Sequence, residues 1–371
     1  MAYFEFFVKK TILLAIVSFL VIGQGCLQKK EPKSGFCGEE DFKKMDKVDI
    51  HCHVNTKDTV FMNQAVEDNF RILSINTDAP LNVDYIEQQD IANFQRKAFP
   101  GHIEYLTTFS MKGWGGDDWL GKTIAYIKES MGKGAIGVKV WKNIGMVERD
   151  KDSSFIMLDN PGFDPLFDYL EENNIPVCGH LGEPKNCWLP IDEMTVNNDK
   201  DYYKEYPQFH MYLHPGFPSY EEQINARDRM LEKHPGLKFM GAHLGSLEWS
   251  VDELAKFFDK FPNASVDMAA RICHLQLQAQ SGWQKVHDFF IKYQDRIIYG
   301  TDMGDYLGAS KEPEKLKKKT HTTWVNDWKF LTTDKVMSVK EINGEFKGLK
   351  LPREVVEKIY YKNAEKMFPG I

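Results

Sequence analysis

From about residue 47 onward, short apolar runs alternate with longer stretches in which apolar residues return every three or four positions. The short runs predict strands at Val48–His51, Phe70–Asn76, Ile103–Phe109, Ile136–Trp141, Ile175–His180, Lys238–His243, Ala264–Met268 and Arg296–Gly300. The longer stretches, among them Asp117–Met131, Asp164–Asn173, Tyr220–Lys233, Val251–Phe261 and Trp283–Tyr293, carry the helical period. Ser219 with Glu222, and Ser250 with Glu253, have the spacing of a capping box. Pro235-Gly236 and Phe261-Pro262-Asn263 end helices and lead into strands. Strict alternation of strand and helix implies a parallel sheet, and strands apolar on both faces imply a sheet covered on both sides. Eight such units predict an α/β fold of the (β/α)8 TIM-barrel type, a single domain over residues 47–371. Two segments exceed ordinary loop length, Leu181–Pro218 after the fifth strand and Gly304–Pro352 after the eighth. Loops this long in a compact domain tend to carry function. The second contains Asn343-Gly344, a turn suited to a small hairpin.

Composition leaves this picture intact. The chain has 371 residues, 42% hydrophobic and 27% charged, with a net charge of −7, which is globular and not disordered. No basic stripe marks a nucleic-acid partner. The one dense basic cluster, Lys315 to Lys319, lies beside Glu312 and Glu314 and reads as a solvated helix face or loop. The N-terminus does not share the alternating pattern. Lys9-Lys10 precedes an apolar run from Ile12 to Ile22, followed by Gly23-Gln24-Gly25-Cys26. That is the layout of a secretory signal, and the run is short for a membrane span. The small residues before Cys26 resemble a bacterial lipobox, although Gly23 stands where Leu is usual. The expectation is a lipoprotein signal peptide over 1–25 and a lipidated Cys26, with a linker over 26–46. The protein would then be exported and held at a membrane of the bacterial cell envelope; an uncleaved N-terminal anchor is the alternative. The five remaining cysteines show no paired framework, and Cys52 and Cys178 read as buried fillers.

Candidate chemistry gathers where strands end. In His51-Cys52-His53 the two imidazoles, two residues apart, share one face of a strand and can aim at one point. Pro176-Val177-Cys178-Gly179-His180 ends the fifth strand, Phe239-Met240-Gly241-Ala242-His243 the sixth and Ile297-Ile298-Tyr299-Gly300-Thr301-Asp302 the eighth. All five polar residues therefore fall at the C-terminal mouth of a barrel, where active sites are built. Three imidazoles and a carboxylate suit Zn²⁺, which takes N and O ligands and keeps an open position when catalytic. Zinc lowers the pKa of bound water to about 7. His51, His53, His180 and Asp302 are the candidate metal ligands, and Asp302 is also placed to take a proton. His243 either holds a second metal or polarises the reacting carbonyl. Mn²⁺ or Fe²⁺ would suit the same donor set.

This combination resembles the amidohydrolase superfamily. Val48-Asp49-Ile50-His51-Cys52-His53, Gly241-Ala242-His243-Leu244-Gly245, Tyr299-Gly300-Thr301-Asp302 and Lys358-Ile359-Tyr360-Tyr361-Lys362-Asn363-Ala364 resemble its amidohydrolase-related branch in particular. The resemblance covers nearly the whole chain after the N-terminal segment and implies a metal-dependent hydrolase, decarboxylase or hydratase. It also raises Lys139, in the fourth strand. In binuclear relatives a lysine there is carbamylated and bridges two metals; in mononuclear relatives there is no bridge, and a lysine can bind a substrate carboxylate. One metal is the expectation, two if Lys139 is carbamylated.

Trp141, Glu183 and Arg271 are weaker candidates for substrate contact. Glu183 can orient His180 instead, and Arg271 can form a structural ion pair. Asp49 reads as a structural strand-end carboxylate, and Lys142 as a lesser candidate than Lys139. His210 and His214 read as loop packing. The leading expectation is hydrolysis of a small-molecule ester, lactone or amide by metal-activated water. A lyase acting on a small carboxylic acid is the alternative, and a non-catalytic metal- or ligand-binding lipoprotein is the third reading.

Overall fold

The computed structural model describes residues 35–79, 83–305 and 311–371. The expected signal peptide, Cys26 and the first part of the expected linker lie outside the described residues. No helix among the described residues is long and apolar enough to cross a membrane.

The protein is a (β/α)8 barrel. Its strands are β1 (Lys47–Val54), β2 (Phe70–Ile75), β3 (Ile103–Leu106), β4 (Val138–Val140), β5 (Val177–Gly179), β6 (Phe239–Gly241), β7 (Ala264–Asp267) and β8 (Ile297–Ile298). Every neighbouring pair within β1–β3 and within β4–β8 is parallel. A parallel bridge from Thr107 to Val138 joins β3 to β4. The ring closes where Ile50 N–H donates to Tyr299 O at 3.1 Å and Asp302 N–H donates to His51 O at 2.8 Å. A short ninth strand, β9 (Met303–Asp305), continues alongside the end of β1.

Side-chain alternation sorts the strand residues into two layers. Val48, Ile50, Leu73, Ile75, Leu106, Cys178, Met240, Ala242 and Ile298 fill the barrel interior, with Ala364, Met367 and Phe368 of the C-terminus packed against them. Ile72, Val138, Val140, Val177, Phe239, Val266 and Ile297 face outward into the larger core shared with the helices. One irregularity matters for the site. Ile50 and His51 lie between the paired residues Asp49 and Cys52 of β1, where β2 has Leu73 alone between Ile72 and Ser74. This bulge changes the phase of the strand, so Ile50 and the two histidines all face inward while Cys52 joins the outer core.

Four expected helices stand close to their expected bounds: Trp119–Gly132, Asp164–Glu172, Tyr220–Lys233 and Val251–Lys260. The fifth begins much earlier than expected, at Ile272, and runs to Lys292, with non-helical geometry at Gly282 that interrupts its apolar period. The Ser219 capping box forms, Glu222 Oε2 accepting from Ser219 N–H at 2.7 Å. The Ser250 box does not form. Gln278 Oε1 caps that helix instead, accepting from Val251 N–H at 2.9 Å, and Glu253 pairs with Lys256.

Neither long segment is a simple loop. Leu181–Pro218 contains a helix, Asn197–Glu205, among short 3-10 turns. Gly304–Pro352 contains the helix Pro313–Thr332, whose buried stripe of Leu316, Thr320, Trp324, Trp328 and Leu331 packs on the barrel. Lys315 to Lys319 lie on this helix, with Lys315, Lys318 and Lys319 on its solvated face. A two-stranded hairpin of Val336–Met337 and Phe346–Lys347 follows, with Asn343-Gly344 inside its longer connection. The two insertions clasp each other: Asn197 Nδ2 donates to Asn343 Oδ1 at 2.9 Å and Asn197 N–H donates to Glu341 O at 2.8 Å.

The expected linker also ends earlier than residue 46, because the described residues from Gly35 onward already belong to the compact unit. Cys37, Phe42 and Met45 are buried in the core, a load of apolar surface that a free linker would leave in water. Arg353 Nη2 pairs with Asp41 at 2.6 Å, and the buried Lys47 ammonium donates to Phe42 O and Met45 O.

Candidate metal centre

The bulge in β1 delivers His51 and His53 to the barrel mouth, where Asp302 stands in the turn just after β8. His53 Nε2 lies 3.1 Å and His51 Nε2 3.5 Å from the same atom, Asp302 Oδ1. The far side of each ring is already committed. His51 Nδ1–H donates to Asp267 Oδ2 at 2.8 Å, and His53 Nδ1–H donates to Ile75 O at 2.8 Å. His243 Nδ1–H donates to Ala269 O at 2.9 Å. Carbonyls and an ionised carboxylate can only accept, so the proton of each neutral ring sits on Nδ1 and the Nε2 lone pair is left for the site. Burial, and then Lys139, push the His51 pKa down; burial, and then His180, push His243 well down. Burial opposes the charge on Asp302, but His53, His243 and His51 outweigh it and hold that carboxyl well below its ordinary range. Two inward lone pairs and an anionic oxygen thus meet, and only an added proton or a cation between them can satisfy all three.

The spacing favours the cation. N and O ligands bound to one zinc at about 2.0–2.2 Å stand roughly 3–3.5 Å apart. Donor atoms of His51, His53 and Asp302 lie within 4.8 Å of one another, and so do those of His51, His243 and Asp267. The residues therefore fit a divalent metal.

His180 belongs to neither group. Its ring centroid is 4.2 Å from that of His243, and its buried Nε2 has no hydrogen-bond partner among the described residues. Glu183 Oε2, 3.8 Å away, is its carboxylate neighbour. Burial, followed by Lys142 and Lys139, holds its pKa well below the ordinary value, leaving a neutral donor beside the cluster. Lys139 lies inside the barrel, its Nζ 3.4 Å from His51 Nε2 and 3.5 Å from Cys178 Sγ.

Of the weaker candidates, Glu183 is buried and ion-paired with Lys142, so Lys142 reaches the site more directly than its place beyond β4 predicts. Arg271 is buried on the same side. Its Nη2 is 4.0 Å from Glu183 Oε2, its Nη1 3.7 Å from Asp199 Oδ1 and 3.2 Å from Ala270 O, to which it donates, and its Nε has no partner among the described residues. Trp141 is half-buried just past β4. His210 is loop packing, its Nε2–H donating to Leu189 O at 2.8 Å.

Two further features frame the mouth. Left-handed backbone occurs at His243 (φ 58°), Leu244 (58°), Ser246 (59°), Ala270 (54°) and Asp302 (65°), all just past strand ends. Non-glycine residues avoid this region, and such strain collects at functional sites. Gly300 permits a close approach, since a Cβ there would lie 3.1 Å from His51 Cβ. Asp49 is structural, as expected: it accepts from Thr301 N–H, Thr301 Oγ1–H, Trp324 Nε1–H and His51 N–H at 2.6–3.3 Å.

Asp267 is the residue that sequence reasoning passed over. Besides holding His51, its Oδ1 accepts from His243 N–H at 2.7 Å and Ala269 N–H at 3.1 Å. Burial works against its charge, but His51 outweighs it and keeps the pKa low. It ends β7, and Asp302 follows β8, so the same rule of polar residues at or just past strand ends points to it.

The sequence model of the family described as amidohydrolase matches residues 108–370. The chain belongs to the amidohydrolase family. As an amidohydrolase it is a metal-dependent enzyme of the hydrolase or lyase kind. No curated protein matches the chain. Among solved structures, it is similar to an uncharacterized TIM-barrel protein from Bordetella bronchiseptica, at 14% identity and TM-score 0.49 over 87% of this chain and 98% of that one. It is similar to 2,6-dihydroxybenzoate decarboxylase from Rhizobium, at 14% identity and TM-score 0.47 over 87% and 98%. A 4-oxalomesaconate hydratase from Rhodopseudomonas palustris follows at 12% identity and TM-score 0.46 over 87% and 95%.

Proposed function

We propose that this amidohydrolase hydrolyses a small-molecule ester, lactone or amide. The observation that carries the reading is the meeting of His51 Nε2, His53 Nε2 and an ionised Asp302 Oδ1, with both Nδ1 protons committed elsewhere. His51, His53 and Asp302 would hold a divalent metal, most simply Zn²⁺, with His180 closing the set from the edge. When bound, such a metal would supply Lewis-acid chemistry and lower the pKa of a water at the mouth. Asp302, whose carboxyl is held well below its ordinary range, would take that water's proton on the oxygen it does not share with His51 and His53. His243, its Nδ1–H held by Ala269 O, turns an Nε2 lone pair to the mouth, where it would accept from a water or substrate hydroxyl or serve as a ligand to a second metal. Asp267 positions both His51 and His243. Lys139 is beside His51, and its carbamylation would supply oxygen ligands for a second metal.

A lyase acting on a carboxylic acid is the second reading, and Arg271 is the observation that favours it. Glu183 is already paired with Lys142, and Asp199 accepts from His274 and Asn186, which leaves most guanidinium donors unspent. Arg271 Nη2 and His180 Nε2 both lie within 4.0 Å of Glu183 Oε2, so a carboxylate on Arg271 would stay near the centre.

Metal analysis of the purified protein beside His51→Ala tests the centre. About one equivalent in the wild type and none in the variant is expected; equal content in both would sink the reading. Turnover of lactones and esters without CO2 release separates hydrolase from lyase. Residues 1–26 support export and lipid anchoring at Cys26; full retention of Cys26→Ala in membranes would count against it.

A further inference from the structure

A cleft of about 540 Å³ opens onto Asp302 between the helix Pro313–Thr332 and the start of the helix Ile272–Lys292. Both insertions contribute to it, Asn198 from the first and the segment from Glu312 to Glu341 from the second. The clasp of Asn197 on Asn343 and Glu341 holds the two together beside it. We propose that this cleft is the subsite for the part of the substrate remote from the reacting bond, and that it selects a neutral group bearing several hydroxyls. The assignment rests on the metal-centre reading, because Asp302 stands at one end of the cleft.

Two buried polar groups carry the argument. Gln276 is only 2% exposed, yet its amide has no hydrogen-bond partner among the described residues. Asp327 is 6% exposed; its Oδ2 accepts from Tyr299 Oη–H at 2.8 Å, while Oδ1 has no such partner. Both line the cleft, and neither is among the polar atoms sealed away from solvent. Their free donor and acceptor positions therefore meet the solvent of the cleft, where a bound group replacing that water would find them.

The chemistry narrows the ligand. Lys315 is taken by Glu312 at 2.8 Å, and four carboxyl groups (Asp302, Glu312, Asp327 and Glu341) against two lysines (Lys315 and Lys319) line the cleft, a balance that disfavours an anion. An ammonium group would have no acceptor to offer the amide N–H groups of Gln276 and Asn326. A hydroxyl donates and accepts at once, which matches an amide and a carboxyl side by side. Ile272, Leu316 and Val339 offer an apolar wall to the C–H face of a polyol or ring.

The test is binding of methyl β-D-glucopyranoside to the full chain by ligand-observed NMR, in metal-stripped and zinc-loaded protein. Gln276→Leu and Asn326→Leu alter opposite walls, so misfolding of one variant leaves the other informative. The expected result is binding in both metal states, weakened at least tenfold in each folded variant, with butyrate and butylamine not competing. Unchanged affinity in a folded variant, displacement by butyrate or butylamine, or no binding to the wild type would overturn the assignment. Zinc content of the same samples separates the two readings. Zinc uptake without glucoside binding defeats the cleft alone. Gln276-dependent glucoside binding without zinc uptake defeats the metal centre and supports the cleft as a binding site.

Discussion

Asp327 ties the stability of this barrel to pH in a direction opposite to that of most acids. The residue is almost fully buried against Tyr299, and burial raises its pKa from 3.8 to about 7. The folded chain therefore binds a proton that the unfolded chain has lost. Asp327's contribution is full below about pH 4 and is lost as the pH rises through about 7. At 1.36 kcal/mol per pKa unit the whole swing is about 4 kcal/mol. Because Oδ1 borders the cleft, solvent screening reduces this to roughly 2–4 kcal/mol. Asp327→Asn removes the titration and keeps an oxygen for the Tyr299 hydroxyl. Urea unfolding of metal-stripped wild type and variant, at a series of pH values from about 4 to 8, isolates the effect. Asp305, raised to about 6 chiefly by burial, titrates in both proteins and cancels in the difference, whereas Asp49, whose charge helps to raise Asp327, stays coupled to it and is part of the swing. The variant should gain on the wild type by the stated amount as the pH rises. Parallel curves would refute the linkage.

Asp267→Asn keeps an acceptor for His51 Nδ1–H but loses the charge behind it, and metal affinity should fall by about 10–100-fold. Competition with a chromogenic chelator measures this, and an unchanged affinity would dismiss Asp267 as a positioning residue. Ser219→Ala removes the observed capping box and should cost about 1 kcal/mol, read as a lower Tm, whereas Ser250→Ala should cost less because Ser250 makes no side-chain cap. Trp324→Phe loses the hydrogen bond to Asp49 and part of a stack on Phe70 at 4.2 Å. It should destabilise by about 2–4 kcal/mol, and a loss under half a kcal/mol would contradict the role given to Asp49.

The barrel was legible because its eight strands are apolar runs bounded by polar residues, and because His51, His53, His180, His243 and Asp302 interrupt those runs at the mouth. What escaped reading escaped for physical reasons. The helix Ile272–Lys292 passes through Gly282, which breaks the period in its middle. The helix Pro313–Thr332 hides its stripe because the residues between Leu316 and Trp324 are mostly lysine and threonine. Phe42 and Met45 are too few to register as a pattern, yet both bury fully once the chain folds over them. Gln276 and Asp327 stood out from no neighbour, since a buried amide in a helix carries no spacing signal. Only three-dimensional burial marks them.

The bulge in β1 shows how the least readable part of the chain serves the most readable. A regular strand with Val48 and Ile50 in the interior would turn His51 and His53 outward, toward the helices. The slip between Asp49 and Cys52 prevents this. Asp49 sits at that slip, accepting from His51 N–H on its own strand and from Thr301 N–H and Oγ1–H in the turn that carries Asp302. Its remaining bond comes from Trp324 Nε1–H, on the helix inside the second insertion. Asp49 thus ties the His51–His53 segment to the Asp302 turn, and the insertion supplies one of the four donors that hold it. The segment Gly304–Pro352 therefore does more than border the substrate cleft. It fixes the bulge that aims both imidazoles at Asp302, so a change in the insertion's packing reaches the metal-binding atoms through Trp324 and Asp49 without touching a ligand.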